Sequence, residues 1–146
     1  MPPTNPPLWL AHARAFERMM IHELPGHETH PLITAFFQFT QLAGTAAGAS
    51  DETPWCSAFV CACVELAGQQ STKHALAHSW LKWGVEIKDL RPGAILVFEK
   101  TNHVAFCESA GDNGGTHIVA LGGNQNNQVC SRLYERSRLL SIRWLQ

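Results

Sequence analysis

A cysteine that opens a helix and a histidine that opens a strand can supply a nucleophile and its base. Cys56 stands in Thr53-Pro54-Trp55-Cys56-Ser57-Ala58-Phe59-Val60, and His103 stands in Asn102-His103-Val104-Ala105-Phe106. A thiol becomes a good nucleophile only once it loses its proton. A helix N-terminus and a neighbouring imidazole both favour the thiolate. Asn124, in Leu121-Gly122-Gly123-Asn124-Gln125, lies at the end of the strand that would pair with the one carrying His103. A neutral amide there can accept the imidazole N–H and hold the tautomer that a base needs. Gln125 is the alternative for this third position, one residue on. Gly122 and Gly123 would let a substrate backbone approach closely.

The other cysteines read as core residues. Cys61, Cys63, Cys107 and Cys130 each lie within an apolar helix or strand pattern, where a thiol behaves as a small hydrophobe. The chain has five cysteines, an odd number, and Cys61 and Cys63 are too close for an easy bridge. Free thiols and folding in a reducing cytosol are expected. Asp51 and Glu52 precede Cys56 and would either cap its helix or line the cleft. His74 and His78 have a spacing that can bind zinc on a helix, but no third ligand accompanies them. No metal site is assigned and no cofactor is expected. Trp80 and Trp83 read as core.

The elements that must position these residues are legible from periodicity. Leu8, Trp9, Leu10, Ala13, Phe16 and Met20 form a helical stripe, which predicts a helix over 7–22 after a proline-rich lead-in at 1–7. A second helix is expected over 31–42, with Pro31 in its first turn. The third runs from Trp55 or Cys56 to a C-cap at Gly68, with Cys56, Phe59, Val60 and Cys63 on one face. A short helix is expected over 74–83. The second half reads as strands, over 94–98, 103–109, 117–121, 128–134 and 139–145, with a turn at Asp112-Asn113-Gly114-Gly115. Helices first and strands afterwards predict one α+β domain over 1–146, its N-terminal helices packed on a C-terminal antiparallel sheet.

The balance of charge narrows the partners. The formal net charge is -1, so no electrostatic attraction to nucleic acid is evident. No apolar run is long enough to span a membrane, and the first residues lack the features of a signal peptide. A monomer made in the cytoplasm is expected.

At this point a resemblance becomes specific. The order Cys, His, Asn, with the thiol on a helix and the other two on a following sheet, resembles the papain-like superfamily. Trp55-Cys56-Ser57-Ala58-Phe59-Val60, Arg91-Pro92-Gly93-Ala94-Ile95-Leu96-Val97-Phe98 and His103-Val104-Ala105-Phe106 look like a CHAP (cysteine, histidine-dependent amidohydrolase/peptidase) or NlpC-type domain. Ala94 and Asn102 replace the Asp and Gly usual at two positions of those families, and neither change touches the catalytic groups. Trp9-Leu10-Ala11, Glu23-Leu24-Pro25-Gly26, Asp51 to Cys56 and Leu121 to Gln125 look like one small subgroup found in phage-related and secreted bacterial proteins.

The resemblance implies a papain-like fold and cleavage of amide bonds in the peptide part of bacterial peptidoglycan. It implies Cys56, His103 and Asn124 as catalytic residues, with Trp55, Gly122, Gly123, Gln125, Asp51 and Glu52 contacting substrate. The partner would be a peptidoglycan stem or cross-link peptide, and an immunity protein or delivery apparatus would fit a secreted antibacterial effector. A phage lysin is the other setting. Either would act in the periplasm or on the cell wall after secretion or lysis. Two other readings stay open: a papain-like protease or deamidase acting on a protein, and an inactive binding module on the same scaffold.

Overall fold

A computed structural model describes residues 5–99, 102–111 and 115–146. Most of the predicted turn at 112–115 therefore lies outside the described residues. Three α-helices precede a six-stranded sheet: α1 (Leu8–Arg18), α2 (Pro31–Phe36), α3 (Cys56–Leu66), then β1 (Val85–Ile87), β2 (Ile95–Phe98), β3 (His103–Ser109), β4 (His117–Gln125), β5 (Gln128–Glu135) and β6 (Leu139–Trp144). Every pairing is antiparallel, in the order β1-β6-β2-β3-β4-β5. The α+β class and the placement of helices before sheet are as the sequence predicts.

Local chemistry explains where the elements depart from their predicted bounds. α1 ends at Arg18 rather than 22, because Met20 turns into the left-handed region (φ 55) and the chain then runs extended. Ile21 O accepts from Val129 N, and His22 bridges Gln128, so this stretch ties to the start of β5. α2 tightens into a 3-10 turn over Phe37–Phe39, and the Thr40 hydroxyl donates to Phe37 O. The predicted helix over 74–83 is a 3-10 segment confined to Ala77–Lys82. His74 lies outside it, so the two histidines do not share a helix face. His78 Nε2 instead lies 3.3 Å from Phe98 O. β1 was not predicted; it is a three-residue edge that pairs with β6.

α3 is the centre of the helical layer. Its residues from Cys56 to Val64 are all buried, so the helix is enclosed rather than one-faced. It packs against α1, β3 and β4. Gly68 follows it at φ 82, the left-handed conformation that ends a helix, as predicted. Ser57 anchors the first turn: its hydroxyl donates to His74 O at 2.6 Å and accepts from Trp80 Nε1 at 2.9 Å.

The sheet carries two cores. Ile95, Val97, Val104, Phe106 and Leu121 face the helices. The alternate residues, among them Leu96, Phe98, Ala105, Cys107, Ile118 and Ala120, form a second cluster on the other face. Among the described residues, that cluster is made of residues from strands and the β1–β2 connection, with none from a helix. No described helix is long and apolar enough to cross a membrane.

Candidate active site

Cys56 is the first residue of α3 and is almost wholly buried, at 5% exposure. Trp55 precedes it as N-cap, with no side-chain hydrogen bond to the first turn. The first-turn N–H groups are therefore left without a side-chain cap. His103 is the first residue of β3, reached through Asn102 at φ 48. Cys56 and His103 line one cleft of about 410 Å³, together with Asn102, Asn124 and Gln125. The Cys56 thiol lies 3.9 Å from Asn102 O.

The side chain that meets the imidazole is Gln125, not Asn124. His103 Nε2 lies 3.0 Å from Gln125 Oε1. This corrects the primary choice of the sequence and favours the alternative it left open. The cause is a bulge in β4. The β4–β5 register shifts between Gly122 and Gln125, and Asn124 sits there at φ 58. Asparagine is one of the few residues besides glycine that takes the left-handed region readily. With the extra residue in the strand, it is Gln125 whose side chain reaches the ring. Asn124 still lines the cleft.

The Gln125 amide is held at both ends. Its Nε2 donates to Ala120 O at 3.2 Å and Cys130 O at 2.6 Å. Its Oε1 accepts from the Tyr134 hydroxyl at 2.9 Å. Carbonyls can only accept, so the amide nitrogen must face them, and Oε1 must face His103. His103 Nε2 therefore carries the hydrogen, and the neutral ring has its lone pair on Nδ1. Tyr134 also packs beside the imidazole, with ring centroids 5.8 Å apart, and Phe98 flanks both rings. Nothing in the sequence marks Tyr134 as part of the site. Its signal was that of a lone tyrosine in an alternating strand, which reads as ordinary sheet packing.

Burial governs the titration of both reactive groups. It pushes the Cys56 thiol up, against backbone N–H groups of Val104, Ser57 and Cys56 that pull it down. The helix N-terminus alone predicts the opposite direction, and desolvation wins. Burial also pushes the His103 imidazole down; the Gln125 contact opposes this and the positive charges of Arg132 and Arg138 add to it. The free protein thus favours a neutral thiol beside a neutral ring. Burial also raises Cys63, and it carries Cys107 to about 12.

Among the remaining residues assigned to substrate contact, Trp55, Asp51, Gly122 and Gly123 have close contacts within the protein. Trp55 is fully buried, and its Nε1 donates to Glu23 Oε1 at 2.8 Å. Asp51 is buried, and its carboxylate accepts from Leu24 N and His30 N. It fastens the loop after α1 rather than capping α3. Glu52 is exposed and lies outside the cleft lining. Gly122 and Gly123 are buried, and their close neighbours are the protein's own side chains. A Cβ at Gly122 would come within 2.8 Å of Gln125 Oε1, and one at Gly123 within 2.7 Å of both Trp55 and Phe59. These glycines make room for the Gln125 amide and for Trp55 and α3.

The family model described as the CHAP domain matches residues 48–124, just over half of the chain. The match includes Cys56 and His103 and stops one residue before Gln125. Hydrolysis of amide bonds in peptidoglycan is the general activity associated with that family. No curated protein and no solved structure matches the chain. A buried thiol at a helix start, an imidazole on the adjoining strand and a matching family model lead to one assignment: the chain belongs to the CHAP domain family.

Proposed function

We propose that the protein is a cysteine amidase or endopeptidase that cuts amide bonds in the peptide part of bacterial peptidoglycan. Cys56 is the nucleophile, His103 the base and then the acid, and Gln125 the residue that orients the ring. The observation that carries this reading is the doubly anchored Gln125 amide, which leaves His103 Nδ1 as the free basic atom in the cleft it shares with Cys56.

The chemistry follows from neutral partners. As substrate arrives, His103 Nδ1 takes the thiol proton and Cys56 Sγ bonds to the amide carbon. The oxygen becomes an oxyanion near the uncapped N–H groups of the first turn of α3, where such charge is favoured. His103 then gives its proton to the leaving nitrogen as the C–N bond breaks. Water attacks the thioester while His103 takes a proton from it, and the acid product leaves with the thiol restored. Burial keeps bulk water from this exchange and strengthens each electrostatic contact within it.

The substrate lies outside the cytosol, so delivery by lysis or by a secretion apparatus fits this reading. The test is incubation of purified sacculi with the wild-type protein and with Cys56→Ala, followed by mass analysis of soluble fragments. New amine termini on muropeptides, absent with Cys56→Ala, are the expected result. Sacculi left unchanged by the wild type would overturn the reading in favour of action on a protein substrate or of a binding module.

A further inference from the structure

Beyond the reacting pair, the cleft has a second cluster of charge. Arg132, in the middle of β5, and Arg138, in the 3-10 turn (Arg136–Arg138) that leads to β6, both line it. Among the described residues neither guanidinium lies within ion-pair distance of a carboxylate; the ion pairs are Arg14 with Glu108 and Arg91 with Asp89. Among the described residues, no Asp or Glu lines the cleft. Arg132 is exposed and Arg138 is half-buried, so their charge is presented from the rim rather than sealed in the core.

We propose that Arg132 and Arg138 form a carboxylate-binding subsite on the rim of the Cys56–His103 cleft, selecting peptides in which a free carboxylate flanks the scissile amide. The inference rests on the peptidase reading for its reaction, but its binding claim can be tested apart from it. Guanidinium groups hold carboxylates through paired, charge-assisted hydrogen bonds, and a cleft with two of them and no acid disfavours a cationic group.

The positions of the two arginines also bear on the chemistry. Their positive charge lowers the proton affinity of His103, which works against the proton transfer from Cys56. A carboxylate seated between them would offset that charge when the substrate is in place. Binding of the correct peptide would then strengthen the base, whereas the amidated form of the same peptide would leave it weak.

The experiment uses the full chain carrying Cys56→Ala, so that binding is measured without turnover. Two synthetic stem peptides serve as probes, identical except that the residue beside the target amide ends in a carboxylate or a carboxamide. Calorimetry should show the carboxylate peptide binding roughly 10- to 100-fold more tightly, the range for hydrogen bonds to a charged group. Adding Arg132→Gln with Arg138→Gln should erase that preference, while Arg136→Gln, outside the cleft lining, should keep it. Circular dichroism and melting check that each variant folds. Equal affinity for the two peptides, no binding of either, or a preference that survives loss of both arginines would overturn the subsite. In parallel, the wild-type protein is tested on sacculi. Selective binding without cleavage would refute the hydrolase reading and leave the subsite standing. Cleavage without selective binding would do the reverse.

Discussion

Gln125 Oε1 accepts from His103 Nε2 at 3.0 Å, between the neighbouring strands β3 and β4 and 22 residues further along the chain. Two carbonyls hold the far end of that amide, so the imidazole is oriented by backbone through a side chain. The predictions below depend on this relation and on the burial around it.

Replacing Cys56 should remove activity and spare the fold. Cys56→Ala deletes one buried sulfur at a helix start, which should change stability by only about 1 kcal/mol. His103→Ala should lower kcat by roughly 10²–10⁴-fold through loss of proton transfer. Release of muropeptides and thermal melting measure both effects. Full activity in either variant would end the nucleophile–base assignment.

Gln125→Ala should be far more damaging than Asn124→Ala. The first leaves the carbonyls of Ala120 and Cys130 without their side-chain donor and frees the imidazole to rotate. About 1–3 kcal/mol of stability should go for each buried group left unpaired. Asn124→Ala should cost about 1 kcal/mol through its left-handed backbone, with kcat little changed, and Asn124→Gly should restore that stability. Urea unfolding and kcat together separate the two positions. A larger loss of kcat from Asn124→Ala would restore the assignment read from sequence.

Gly122→Ala should impair catalysis without touching any group that meets substrate. The new methyl would lie 2.8 Å from Gln125 Oε1 and 2.9 Å from Ala105 Cβ, so the amide must move and release His103. Overpacking of this kind costs about 1–3 kcal/mol. The expected signature is a fall in kcat with KM little changed. A KM effect alone would instead favour the substrate-contact role read from sequence.

The pH profile should follow the depressed imidazole. His103 must be neutral to act as base, and burial lowers its proton affinity, so the acid limb of kcat/KM should lie below the ordinary histidine value of about 6.5. Among the groups facing it, Arg132 and Arg138 push in the same direction. Changing both to Gln should move the limb to higher pH. Stability carries the same sign. The unfolded chain binds the proton first as pH falls, so stability is complete above about 6.5 and declines between the unfolded and folded values. His103→Gln should flatten that decline in urea titrations. An acid limb above the ordinary value would contradict the burial argument.

The three α-helices, five of the six strands and the placement of Cys56 at a helix start and His103 at a strand start were legible because each rests on local pattern: a stripe, a cap, an alternation or a turn. β1 escaped because three residues, two of them exposed, carry no period. Gln125 was displaced by one because the bulge at Asn124 breaks the count along β4, and a bulge depends on pairing rather than on propensity. Trp55, Asp51, Gly122 and Gly123 sit near the reactive groups in sequence, yet their roles are set by what packs against them. Arg132 and Arg138 carry no local pattern that marks them, and only the folded chain brings them to the cleft.

The position of β6 bears on the order in which the site is assembled. β6 lies between β1 and β2, so the strand farthest along the chain separates two that precede it. During translation, Cys56 and His103 emerge well before the residues that complete the sheet. Until Leu139 to Trp144 insert, β1 has no neighbour and β2 has one open edge. Nascent chains, and fragments cut ahead of β6, would therefore carry the thiol and the imidazole without the closed scaffold that aligns them. Under the proposed function, activity should therefore appear only once Leu139 to Trp144 have been made and inserted, and not when the residues that react have been made.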